Sequence, residues 1–90
     1  MIHDHATIRD AIIAMTAEAI NRRLAPGTET GRTDFASLGV DSVNVFEIIL
    51  KIETRYPVTL RDTFLFEHRT PDDAAQALRA MLCAAESETP

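Results

Sequence analysis

The segment Gly39-Val40-Asp41-Ser42-Val43-Asn44 joins a glycine-containing loop to a strongly apolar helical run, and so places one serine hydroxyl at a helix N-terminus. The N–H groups of a first helical turn lack intrahelical acceptors, and the positive end of the helix dipole lies on the same side. An anion is favoured there, so the chemistry that suits Ser42 is carrying a phosphate. Asp and Ser are also the side chains that helices prefer as N-caps, and the Asp41-Ser42 pair could serve that purpose alone.

Nucleophilic catalysis by the same serine would need a base within hydrogen-bond reach, itself oriented by a third group. The local sequence is not Gly-x-Ser-x-Gly and no strand precedes it, so the hydrolase elbow is absent. His68 precedes a helix in a loop and reads as a surface or hinge residue, while His3 and His5 fall in a terminus expected to fray. Met81 and Cys83 read as core or partly buried positions of the last helix.

Four helices are expected to position these residues. Ile8, Ile12, Met15 and Ala19 recur at helical spacing with Ile13, Ile20 and Leu24 beside them; Thr7 and Asp10 read as a capping pair and Pro26-Gly27 as the stop. Arg22 and Arg23 suit the C-terminal dipole of that helix. A long loop follows, holding Pro26 and all three glycines, with Phe35 and Leu38 as its anchors. The second helix runs from about Ser42 to Tyr56, and Val45, Ile48, Ile49, Ile52 and Tyr56 form its core stripe.

That stripe leaves Val43, Phe46 and Leu50 on a neighbouring face, with Glu47 among them and Ser42 at their head. An exposed apolar stripe of this kind is a candidate docking surface; Phe46 could instead pack under the loop or the third helix. A brief third helix is expected within Arg61–Phe66, packing Leu60, Phe64 and Leu65. Thr70-Pro71-Asp72-Asp73 starts a fourth that runs to about Cys83, with a capping hydroxyl, Pro at the first helical position and acids in the first turn. Ala74, Leu78, Met81 and Leu82 give it an apolar face. The expected fold is all-α: a small four-helix bundle of three longer helices and a short third one.

Ninety residues make a single domain, 1–90, able to bury its own core, with mobile ends at about 1–5 and 85–90. With 14 acidic and 9 basic side chains, the net charge of −5 disfavours nucleic acid and anionic membranes and suits basic patches on protein partners. One cysteine excludes an internal disulfide, and with three scattered histidines it makes no zinc set. The N-terminus lacks a signal-peptide core, and no run reaches the ~18 apolar residues of a membrane span. The chain reads as a cytoplasmic monomer, and Met1 with its short flanks favours a free-standing protein.

The stretch from Phe35 to Leu82 resembles the acyl carrier and peptidyl carrier proteins. Phe35, Leu38 and Gly39 resemble the approach to the attachment site in that family, and Asp41-Ser42-Val43 its Asp-Ser-Leu signature. Phe46–Tyr56 is similar to its second helix. Thr63–Pro71, reading TFLFEHRTP, is similar to the LFxHPTP region of carrier domains in polyketide and peptide synthases. Val43 departs from the usual Leu, and Arg61 and Arg69 stand where Pro is common.

The resemblance implies a carrier without catalysis of its own. A phosphopantetheinyl transferase would attach 4′-phosphopantetheine from coenzyme A to Ser42, and the arm's thiol would hold acyl or aminoacyl groups as thioesters. Asp41 would cap the helix and help position Mg²⁺ and the phosphate in the transferase complex. Loading enzymes, synthases and tailoring enzymes would dock on Val43, Phe46, Glu47 and Leu50. Glu47 and Glu53 alternate with Lys51 and Arg55, which argues against a primary fatty-acid role; polyketide or nonribosomal peptide synthesis is the leading reading, with a fatty-acid or D-alanyl carrier as the alternative. The reading from another class is a helical adaptor in which Asp41-Ser42 is only a cap.

Overall fold

The computed structural model describes residues 4–87, which form six helical segments and, among the described residues, no strand. Three are long: α1 (His5–Ile20), α4 (Ser42–Arg55) and α6 (Pro71–Ser87). Three are single turns of four residues: α2 (Thr28–Gly31), α3 (Phe35–Leu38) and α5 (Phe64–Glu67). The all-α expectation holds, with the long loop further organised by α2 and α3.

The start and end of α1 differ from the sequence reading. Asp4, one turn earlier than expected, is the N-cap, and its carboxylate accepts from the Thr7 N–H and hydroxyl at 3.0 and 3.1 Å. Asp10 instead accepts from the Gly27 N–H (3.1 Å) and from Arg9 Nε (2.9 Å), tying the loop to the helix. The Arg9 guanidinium holds the Asp10 carboxyl below the ordinary carboxylate range. The helix ends at Ile20, before Pro26-Gly27. Asn21 takes the left-handed conformation that its short polar side chain tolerates, and the Arg22 N–H closes on the Ala17 carbonyl. Arg22 and Arg23 therefore lie past the end of α1. His5, placed in a fraying terminus from sequence, is the first residue of α1, with Nε2 3.2 Å from Asp72 Oδ1.

The core is built from Ile8, Ile12 and Met15 of α1, the four buried residues of α4 (Val45, Ile48, Ile49, Ile52), and Ala74, Ala75, Leu78 and Leu82 of α6. The α1 helix packs against both α4 and α6. Fully buried alanines at 74 and 75 let α6 approach closely. Gly31 serves the same end under α2, because a Cβ there would stand 2.7 Å from Arg9 Cδ and 3.0 Å from an Asp72 oxygen. Phe35, Leu60, Phe64 and Leu65 close the end of the bundle, and Tyr56 packs half-buried at its margin.

The third helix is one turn, later and shorter than the expected segment, and it buries Phe64 and Leu65 while leaving Phe66 exposed. At the start of α6 the Thr70 hydroxyl accepts from the Asp73 N–H (3.1 Å), as the Thr-Pro-Asp-Asp pattern requires. The α6 helix continues to Ser87, past Cys83. Met81 and Cys83 are exposed on it, where core or partly buried positions are expected from sequence, because the buried row turns through Ala74, Ala75, Leu78 and Leu82. Among the described residues no helix is long and apolar enough to cross a membrane.

Candidate functional site

The first turn of α4 resolves the two uses that Asp41-Ser42 could have had. Asp41 is the cap: its backbone is extended, and its Oδ1 accepts from the Asn44 N–H at 2.9 Å. Asn44 answers by accepting from the Asp41 N–H at 3.0 Å, which completes a capping box. Ser42 is the first helical residue and is exposed, and no hydrogen bond to another described residue engages its hydroxyl. The serine is therefore not needed to cap the helix.

Asn44 has a further contact that its sequence position does not reveal. Its Nδ2 donates to the Ala19 carbonyl at 3.1 Å, one of the last carbonyls of α1, which lack intrahelical donors. One amide thus joins the end of α1 to the start of α4 and fixes the turn that presents Ser42. On the approach side, Gly39 closes α3 at φ 107°, a left-handed conformation that a Cβ would strain. Phe35 is buried beneath, and its N–H donates to the Arg69 carbonyl at 2.8 Å, so the loop and the α5–α6 connection hold each other.

Between these segments runs a groove of about 300 Å³ that Ser42 and Asp41 help to line. Phe35, Val40, Val45, Leu65 and Phe66 give it apolar walls, and Asp34 and Arg69 add charge. Phe66 and Arg69 came from sequence only as part of a third helix and as a departure from a motif. Nothing in their local spacing says that they meet Ser42, because they are brought there by the turn of α5.

Three other residues expected at the surface of α4 are exposed: Val43 (74%), Phe46 (57%) and Leu50 (63%). Phe46 does not pack under the loop, and Glu47 is exposed beside it. The remaining charges of α4 are largely engaged with the body. Glu53 accepts from the Leu60 N–H at 2.8 Å, and Lys51 pairs with Glu18 at 3.1 Å. His68 packs its ring on Phe64, with centroids 4.9 Å apart, and is not among the residues lining the groove at Ser42. Among the described residues no group of three or more His, Cys, Asp or Glu is gathered for a metal ion.

Comparison with known proteins bears on this geometry. The phosphopantetheine attachment site family matches residues 10–78. A non-reducing polyketide synthase, stmB, of Aspergillus ustus is 38% identical over 86 residues, which cover 96% of this chain and 4% of that synthase. The chloroplastic acyl carrier protein 3 of Hordeum vulgare is 30% identical over 78 residues, covering 83% of this chain and 59% of that protein. The chain thus spans less than two thirds of the length of both. BlmI, a type-II acyl carrier protein of Streptomyces verticillus involved in bleomycin biosynthesis, superposes with a TM-score of 0.76 at 27% identity, covering 87% of this chain and 89% of BlmI. An all-helical bundle of this topology, a serine spared from capping at the head of α4, and a family match that runs from within α1 to within α6 lead to one conclusion: the chain belongs to the phosphopantetheine attachment site family and is a carrier domain.

Proposed function

We propose that this domain carries acyl or aminoacyl intermediates on a 4′-phosphopantetheine arm attached to Ser42, in polyketide or nonribosomal peptide biosynthesis. The observation that carries the assignment to Ser42 is its exposed, unengaged hydroxyl at the first turn of α4, capped independently by Asp41 and Asn44. Ser37 and Ser87 are the other serines of the chain, and neither stands at a helix start. The residues fit the group: the oxygen is open to a transferase, the Ser42 and Val43 N–H groups are not used by the cap, and the groove offers apolar walls to the arm.

When bound, the arm supplies the thiol on which cargo is held as a thioester. The domain's own residues do the positioning. Asp41 and Asn44 hold the turn rigid, and Asn44 anchors it to α1. No described side chain is hydrogen-bonded to Ser42 as a base, so the proton of its hydroxyl would leave to a partner, the phosphopantetheinyl transferase. Val43, Phe46 and Leu50, with Glu47, form the face on which that enzyme and later loading, synthase and tailoring enzymes would dock. Tethering raises the local concentration of cargo at each partner, so brief, weak docking suffices.

The synthase context is supported by the similarity to a polyketide synthase and to a bleomycin-pathway carrier. It is supported also by the charge of α4: with Glu53 turned to Leu60 and Lys51 paired, a continuous acidic face is missing. Incubation with coenzyme A and a broad-specificity transferase, followed by intact-mass measurement, tests the reading. The wild-type chain should gain one phosphopantetheine and Ser42→Ala none; a gain of mass by the Ala variant would move the site elsewhere.

A further inference from the structure

We propose that Arg69 binds the phosphodiester of the arm from across the groove, so that the phosphate lies between this guanidinium and the N–H groups of Ser42 and Val43, which the Asp41 cap leaves unengaged. The inference rests on attachment at Ser42 and goes beyond it, assigning a binding role to a residue outside the attachment motif. Arg69 lines the same groove as Ser42 and Asp41. Its backbone is fixed there by the bond from the Phe35 N–H to its carbonyl. Its side chain is exposed, and no ion pair or hydrogen bond joins it to another described residue. The cation is thus anchored at its base and uncommitted at its tip.

Charge explains what the contact would do. A phosphodiester on Ser42 is a permanent anion placed beside Asp41, with Asp34 on the same groove and a net charge of −5 on the chain. Of the groove-lining side chains, Arg69 alone is cationic. A guanidinium presents planar, forked N–H donors that match phosphate oxygens, and charge-assisted bonds of this kind are among the stronger polar contacts in proteins. Away from Asp34 and Asp41 the walls are apolar, so a phosphate held by Arg69 would lead the pantetheine chain along Val40, Leu65 and Phe66. The sequence pattern that this segment resembles has Pro at position 69, which could make no such contact; the device belongs to this chain.

The test uses the ¹⁵N-labelled 90-residue chain, before and after loading from coenzyme A, with mass confirming the arm. On loading, the Arg69 Nε–Hε resonance should shift, and it should not in Ser42→Ala treated identically. The ³¹P line of loaded Arg69→Gln should narrow relative to wild type, toward that of free phosphopantetheine, and Arg69→Lys should fall between. Both variants keep the backbone carbonyl that receives the Phe35 N–H, and amide spectra report that the fold is retained. A loaded wild type whose Arg69 resonance stays in place, with a ³¹P line identical in Arg69→Gln, overturns the inference and leaves the carrier reading standing. A wild type that gains no mass overturns both.

Discussion

Replacing Phe46 by Ala should separate recognition from stability, and the structure sets the size of the separation. Phe46 is covered over less than half of its surface, whereas Ile52, further along the same helix, is fully buried in the core where α4 packs on α1. Full burial of a large apolar side chain contributes ~1.5–3 kcal/mol, so Phe46→Ala should cost about 1 kcal/mol or less. Ile52→Ala removes core contacts and leaves a cavity, at ~2–5 kcal/mol. A domain of this size has in all about 5–13 kcal/mol of stability, so the second loss is a large share of the total. With a urea m-value of ~1 kcal/mol/M, the midpoint should fall by less than about 1 M for Phe46→Ala and by about 2–5 M for Ile52→Ala. The ranking of transfer rates at 25 °C, with a phosphopantetheinyl transferase or a loading enzyme as partner, should be the reverse among the molecules that remain folded. Two results would refute the reasoning: a Phe46→Ala midpoint as low as that of Ile52→Ala, or unimpaired transfer by Phe46→Ala.

Asn44→Ala removes one arm of the capping box and the bridge to Ala19, and should cost ~1–2 kcal/mol in thermal or urea unfolding although Asn44 lies outside the core. Because Glu47 is the exposed acid beside the apolar stripe while Glu53 is engaged, docking rates should fall only shallowly with salt. Screening over ~8 Å near 0.15 M slows the approach and not the contact; a steep loss, with Glu47→Lys abolishing transfer and Phe46→Ala sparing it, would reverse that order. Asp10 has its folded-state pKa lowered by Arg9, so its contribution is present above the ordinary carboxylate range and is lost as pH falls through the lowered value. Melting curves of wild type and Asp10→Asn should therefore differ at neutral pH and converge in acid.

Much of this domain was legible in its sequence because the signals are local. The 3.6-residue spacing of Val45, Ile48, Ile49 and Ile52 placed them in the core and left Val43, Phe46 and Leu50 outside, as observed. Thr70-Pro71-Asp72-Asp73 carries its helix start in its own atoms, and Ser42 follows an acid suited to capping. The reading failed where two candidates compete for one role. Asp4 displaced Thr7 and Asp10 as the start of α1, which freed Asp10 for Gly27, and Asn21 ended the helix six residues before the Pro-Gly stop. Met81 was misplaced because several rows of α6 are apolar enough to face inward, and only the approach of α1 selects one.

What the sequence determined by itself was the order of the long helices, the core stripe of α4 and the place of one serine at a helix start, since each depends on neighbours within a few residues. Only the tertiary structure decided that Asn44 bridges to Ala19, that Glu53 turns to Leu60, and that Phe66 and Arg69 share a groove with Ser42. Those partners lie between 7 and 27 positions apart in the chain. Their meeting depends on how α1, α4 and α6 pack and where the short turns point, which no local periodicity encodes.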